Sequence, residues 1–248
     1  MARTKWKKII TAGPLVKEVL YPGTGGYDAP KTRAGKKRLS TAAQQRMNAK
    51  YSYQKLELML AANFKPGDIV ATFTYDDDHL PYDRRIAEGR LKAFRARLSA
   101  QRRQSKQDFV MFWCTEGKHG DGRLHHHVVI NATGNDFVTI CALWGQGEIH
   151  FERLRVDKEK NYETLARYMA KEDRERVGQR AWSYTRGASR PEVETFRVEE
   201  DTTLEVPKGA TALEEASERT EFGYYKYVKY MFMNAEGLRR TRARRRKR

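Results

Sequence analysis

The chain has 248 residues, 39% of them hydrophobic, enough for one substantial core with a small appended lobe. Its 49 Lys and Arg against 32 Asp and Glu leave a net charge of +17, a surplus that attracts a polyanion and makes nucleic acid the leading partner class. Cys114 and Cys141 are the only cysteines and form no C-x-x-C pair, which argues against a disulfide scaffold or a structural zinc module, and no run approaches the roughly 20 apolar residues of a membrane span.

In chain order, residues 1 to about 40 are rich in Gly, Pro and Lys and read as an irregular basic arm. A helix is expected from Ser40 to about Ala62, with Leu56, Met59 and Leu60 at helical spacing, ended by Lys65-Pro66-Gly67. "DIVATFTYDD" suits a strand, and "RRIAEGRLKAFRARLSAQRRQ" a long helix with Ile86, Leu91, Phe94 and Leu98 on its packing side and cations outside. "DFVMFWCTE" and "RLHHHVVIN" then form a hairpin across "GKHGDG", followed by a short helix near Phe137–Leu143 and the strand "GEIHFERLR".

A further helix opens at Asn161, a good cap, with Glu163 in its first turn and Leu165, Tyr168 and Met169 recurring along one side. Beyond it "WSYTRGASRPEVE" reads as loop, "EVPKGATALEEASERT" as one acidic helix and "FGYYKYVKYMF" as a strand. The last ten residues, "RRTRARRRKR", hold eight cations and nothing to order them in a core, so a mobile tail is expected, either gripping phosphates or merely solvated. The strand and helix pattern gives an α+β fold, an antiparallel sheet palm with flanking helices, and no phosphate-binding loop of the G-x-x-x-x-G-K-[ST] type is present.

The chemistry concentrates at His125, His126 and His127. On a strand, His125 and His127 share one face while His126 points to the other. Two imidazoles so placed can bind one metal ion, and Glu116 on the preceding strand can add a carboxylate oxygen. The plainer alternative is a histidine pair that only covers a half-exposed sheet face. Tyr168 and Lys171 lie one helical turn apart, and beside a cation they make a set suited to phosphate chemistry: a nucleophile, a countercharge and a polarising ion. Alone, a tyrosine there is as readily core and a lysine as readily a solvated charge.

The ordered stretches "FTYDD", "RLHHHVVIN" and "YMAK" resemble motifs one, two and three of the HUH rolling-circle replication initiators, the Rep endonucleases of phage and plasmid type, over roughly Asp68 to Glu194. Two departures are the histidine at the middle position, His126, for which the sequence offers no role, and a single tyrosine, since Tyr162 falls nearly opposite Tyr168 on the helix. The resemblance implies a palm of RNA-recognition-like topology, with Mg²⁺ or Mn²⁺ held by His125, His127 and Glu116, and with Tyr168 as nucleophile supported by Lys171. It also implies site-specific nicking and rejoining of single-stranded DNA at a replication origin through a 5′-phosphotyrosine, with unwinding left to a host helicase.

On this reading, 1–62 is a basic N-terminal arm and helix, 63–200 the HUH endonuclease domain, 201–238 a C-terminal extension and 239–248 a disordered basic tail, in a soluble protein of the host cytoplasm with no membrane partner. Expected DNA contacts are Arg84, Arg85, Arg90, Lys92, Arg95, Arg102 and Arg103 on the basic helix, then Arg186, Tyr225, Lys226, Arg244 and Arg245. The rivals are a single-tyrosine HUH transposase and a non-catalytic basic nucleic-acid-binding protein. A relaxase is disfavoured because there the tyrosine precedes the histidine motif, and a two-histidine, one-carboxylate hydrolytic or oxidative enzyme leaves Tyr168 and the charge unexplained.

Overall fold

The computed structural model describes residues 5–23, 42–117, 122–157, 161–171, 180–220 and 223–233. The chain divides into two compact units, one formed by residues 36–189 and the other by 1–35 together with 190–248.

The first unit is built on a five-stranded antiparallel sheet. Its elements in chain order are α1 (Ala42–Asn63), β1 (Ile69–Phe73), α2 (Arg84–Gln104), β2 (Met111–Glu116), β3 (His125–Ile130), α3 (Asp136–Trp144), β4 (Ile149–Arg153), α4 (Tyr162–Met169) and β5 (Ser183–Tyr184). The spatial order is β4-β1-β3-β2-β5, so the histidine strand is central. Strand pairing aligns Cys114, His127, Thr72 and His150 in one row across four strands, and directly opposed residues share a face.

The opposite face carries the packed core. Phe73, Val128 and Ile130 meet Leu91, Phe94 and Leu98 of α2 and Ile140 and Trp144 of α3. The apolar stripe on α2 emerges at the 3.6-residue period expected from its sequence, and Asp83 caps it by accepting from the Ile86 N–H. Toward the other face, Phe64 meets Phe112 edge to face at 5.3 Å, and α1 and α4 lie side by side.

Two close approaches fix the strand that follows α3. Gly145 ends that helix in the left-handed region at φ 55°. At Gly147, with φ 149°, a side-chain Cβ would fall 2.5 Å from the Asp76 nitrogen, so only glycine lets this turn sit against the end of β1.

The second unit is another five-stranded antiparallel sheet, made of β6 (Lys5–Ala12), β7 (Leu15–Pro22), β8 (Glu192–Val198), β9 (Ala210–Thr220) and β10 (Gly223–Phe232), in the order β8-β6-β7-β10-β9. This corrects two expectations. The basic N-terminal stretch is no irregular arm over residues 5–22 but a hairpin pairing Lys5 with Pro22 through Ala12 with Leu15, turned at Gly13-Pro14, where Gly13 has φ 53°.

The acidic segment expected as a helix is the edge strand β9, paired along β10 with a register shift at Lys229/Tyr230. Long-range pairing overrides the helical preference of its Glu and Ala residues, and a charged sequence is what an exposed edge tolerates. The stretch expected as strand around Tyr224–Tyr230 is one. This unit has its own core of Ile9, Val16, Leu20, Val228, Tyr230 and Phe232, with Leu204 packed on it. The expected basic tail, 239–248, lies outside the described residues.

Candidate active site

Glu116 at the end of β2 pairs directly with His125 at the start of β3, so the carboxylate and both same-face imidazoles meet at one end of the sheet. His127 Nε2 lies 2.9 Å from a Glu116 carboxylate oxygen and 3.2 Å from His125 Nε2. The three ligand atoms all fall within 4.8 Å of one another. His125 Nδ1 donates to the Arg123 carbonyl at 2.9 Å, which leaves Nε2 as the lone pair of a neutral ring turned inward. His127 Nδ1 is 3.2 Å from Thr72 Oγ1, and its Nε2 likewise faces the carboxylate. Two imidazole nitrogens and one carboxylate oxygen, oriented from behind, fit a divalent cation that keeps open positions.

Burial pushes the Glu116 carboxyl upward, but hydrogen bonds from Lys171 and His127 outweigh it and hold the group below the usual carboxylate range. His127 is held below the ordinary imidazole value by burial first and His125 second, so the ring stays neutral as a ligand must be.

Tyr168 presents its ring to His127, with centroids 4.5 Å apart, and remains 46% exposed, so its hydroxyl can meet a substrate. Lys171 lies 4.2 Å above the Tyr168 ring and 2.9 Å from Glu116. It sits just past the end of α4, which closes at Met169 with Ala170 as its cap, so the pair spans a helix end rather than a helical turn. Burial raises the Tyr168 phenol above its ordinary value, and Lys171 pulls against that.

Tyr162, by contrast, is buried with its hydroxyl donating to the Phe64 carbonyl at 2.7 Å, and burial pushes it up to about 12. It faces the core and is no second nucleophile.

His126, without a role in the sequence, lies fully buried on the other face. Its Nε2 is 2.7 Å from the Tyr75 hydroxyl and its Nδ1 2.9 Å from Thr115 Oγ1. A neutral ring has one N–H and one lone pair, so it donates to one hydroxyl and accepts from the other. Burial, with repulsion from His125, Arg84 and His127, pushes its pKa down to about 3. His126 therefore ties motif one, through Tyr75, to both strands carrying the ligand set. The Tyr75 signal was present in "FTYDD", but strand pairing was needed to see the connection.

The expected DNA-contact residues scatter. Arg85, Lys92 and Arg103 are exposed, on a helix that packs against the sheet face opposite Tyr168. Arg84 donates to the Thr115 carbonyl, Arg90 to the His79 carbonyl, and Arg95 lies 4.9 Å over the Trp113 ring. Arg102 is a correction: it is 2% exposed and bonds Asp136 at 3.0 Å, Asn131 and the Asp108 carbonyl, so it is a buried structural cation that no phosphate reaches.

Arg186 is exposed. Tyr225 and Lys226 fall on opposite faces of β10, and Lys226 pairs with Glu215 at 3.0 Å. Arg244 and Arg245 lie outside the described residues.

Among the comparisons with known proteins, the model of a replication-associated protein family, that of ORF2, matches residues 68–173, from the start of β1 to just past Lys171. That family is consistent with a rolling-circle replication initiator acting on DNA. No curated protein and no solved structure matches the chain. No described helix is long and apolar enough to cross a membrane.

Proposed function

We propose, from the match of residues 68–173 to the replication-associated protein family, that this chain starts replication by nicking and rejoining single-stranded DNA with Tyr168 as nucleophile. The observation that carries this reading is the convergence of Tyr168, Lys171, His125, His127 and Glu116 on one sheet face, with the tyrosine exposed and the ligand set half-buried behind it.

A phosphodiester resists attack because its charge repels nucleophiles and its alkoxide leaves poorly, so charge must be neutralised and three atoms aligned. Mg²⁺ or Mn²⁺ held by His125, His127 and Glu116 would draw charge from a non-bridging phosphate oxygen. The Tyr168 phenol enters protonated at neutral pH, because burial raises it. Its oxygen attacks phosphorus and loses its proton; the bond to the 3′ oxygen breaks, and that oxygen leaves as a 3′-hydroxyl once it gains a proton.

Lys171, above the Tyr168 ring, favours the developing phenolate, and its bond to Glu116 keeps it in place. The resulting 5′-phosphotyrosine retains a bond of similar energy to the one broken, so the reverse attack by a 3′-hydroxyl reseals the strand. Strand separation is assigned to a helicase of the host, since the sequence carries no phosphate-binding loop.

The test uses end-labelled single-stranded DNA, Mn²⁺ and denaturing gels. A protein–DNA adduct should form with the wild type, disappear with chelator, and fall to background in Tyr168→Phe and His127→Ala. Retained DNA binding with no adduct under any of these conditions would favour a non-catalytic binding protein instead.

A further inference from the structure

A groove of about 300 Å³ runs beside Tyr168, between the edge strand β4 and helix α4. His127 and Tyr168 line it at one end, so it is continuous with the candidate active site. Val70, Val129 and Leu165 contribute apolar surface, while Glu152, Thr164 and Arg155 supply polar groups. Glu152 projects from the same sheet face as Val70, its pairing partner, and Thr164 stands one helical turn before Tyr168 on the same side of α4. Arg155 is exposed and follows β4.

Resting on the nicking reading above, we propose that this groove seats the nucleotide next to the scissile phosphate and selects its base. The volume is at the low end for a small-molecule site and suits one nucleotide rather than a length of strand. Its apolar surface accepts the face of a base, which every base offers and which therefore gives affinity without choice. Choice comes from Glu152: a carboxylate accepts hydrogen bonds and rewards a base with an exocyclic amino group, whereas thymine has none. Arg155 gives the groove a cation for the neighbouring phosphate, and its site is on the Tyr168 side of the sheet, unlike the cations of α2.

The experiment incubates the full chain and Mn²⁺ with a pool of single-stranded DNA carrying a randomised region, captures the covalent adduct under denaturing conditions, and sequences the attached strands and the released partners. In the wild type one position flanking the cut should be depleted of thymine by about fivefold or more, as expected for one base contact. Glu152→Ala should flatten that position to under about twofold while preferences elsewhere persist. Arg155→Ala should leave the base profile intact and reduce the salt dependence of single-strand binding by about 0.7 in log–log slope, the loss of one phosphate contact.

Adduct formation with an unchanged profile in Glu152→Ala and an unchanged slope in Arg155→Ala would overturn the groove assignment and leave the nicking reading standing. Absence of any wild-type adduct would overturn both.

Discussion

At the scale of single residues, His126 is the test of how the site is held. It is bonded on both nitrogens to buried hydroxyls and meets Tyr75 and Trp144 edge to face. His126→Ala removes both bonds and leaves a cavity, and should cost about 2–4 kcal/mol. Urea unfolding measures this, and a change under about 0.5 kcal/mol would mean that the network contributes little. The same-face placement of His125 and His127 and the exposure of a helical Tyr168 were legible in the sequence, because both follow from period alone. The partners of His126 were not, since Tyr75 and Thr115 come from other strands and only their register brings them to the ring. Arg102 misled for a similar reason: nothing local distinguishes it from its solvated neighbour Arg103, and its partner Asp136 is 34 residues away.

At the scale of elements, Arg102 and Asp136 join α2 to the start of α3. Burial raises the Asp136 carboxyl, but bonds from Thr133 and Gly134 and the Arg102 charge override it and leave the pKa below its ordinary 3.8. A carboxyl depressed in the folded state stabilises the fold above its unfolded value and loses that contribution as pH falls through the lower folded value. Acid titration of stability should therefore show a fall below about pH 4 that is reduced in Asp136→Asn, and an unchanged acid limb would contradict the assignment.

Gly147→Ala addresses the packing of β4 on β1: with a Cβ driven against the Asp76 backbone and a positive φ, it should cost about 1–3 kcal/mol, seen as a lower thermal midpoint. Helix α4 is only eight residues long and depends on Asn161, which accepts from the Glu163 and Thr164 N–H groups. Asn161→Ala should cost about 1 kcal/mol and lower adduct yield with it, since the cap holds the helix that carries Tyr168.

At the scale of the whole molecule, the elements of the 36–189 unit were read from sequence close to where they stand, because long amphipathic helices and strongly patterned strands dominate it. The second sheet was missed as a sheet. Its strands come from both ends of the chain, and the Gly13-Pro14 turn was taken for a break when apolar alternation on either side of it marks a hairpin. Charge was informative about the class of partner and not about its location: a surplus of +17 says polyanion, yet the exposed cations of α2 lie away from Tyr168.

The claim on which the account depends is that Tyr168 becomes covalently joined to DNA. Proteolysis of the trapped adduct followed by mass spectrometry tests it most directly. The account predicts a nucleotide attached through a 5′ phosphate to the peptide containing Tyr168. Attachment at any other residue, or a cleaved strand with no protein attached, would contradict it.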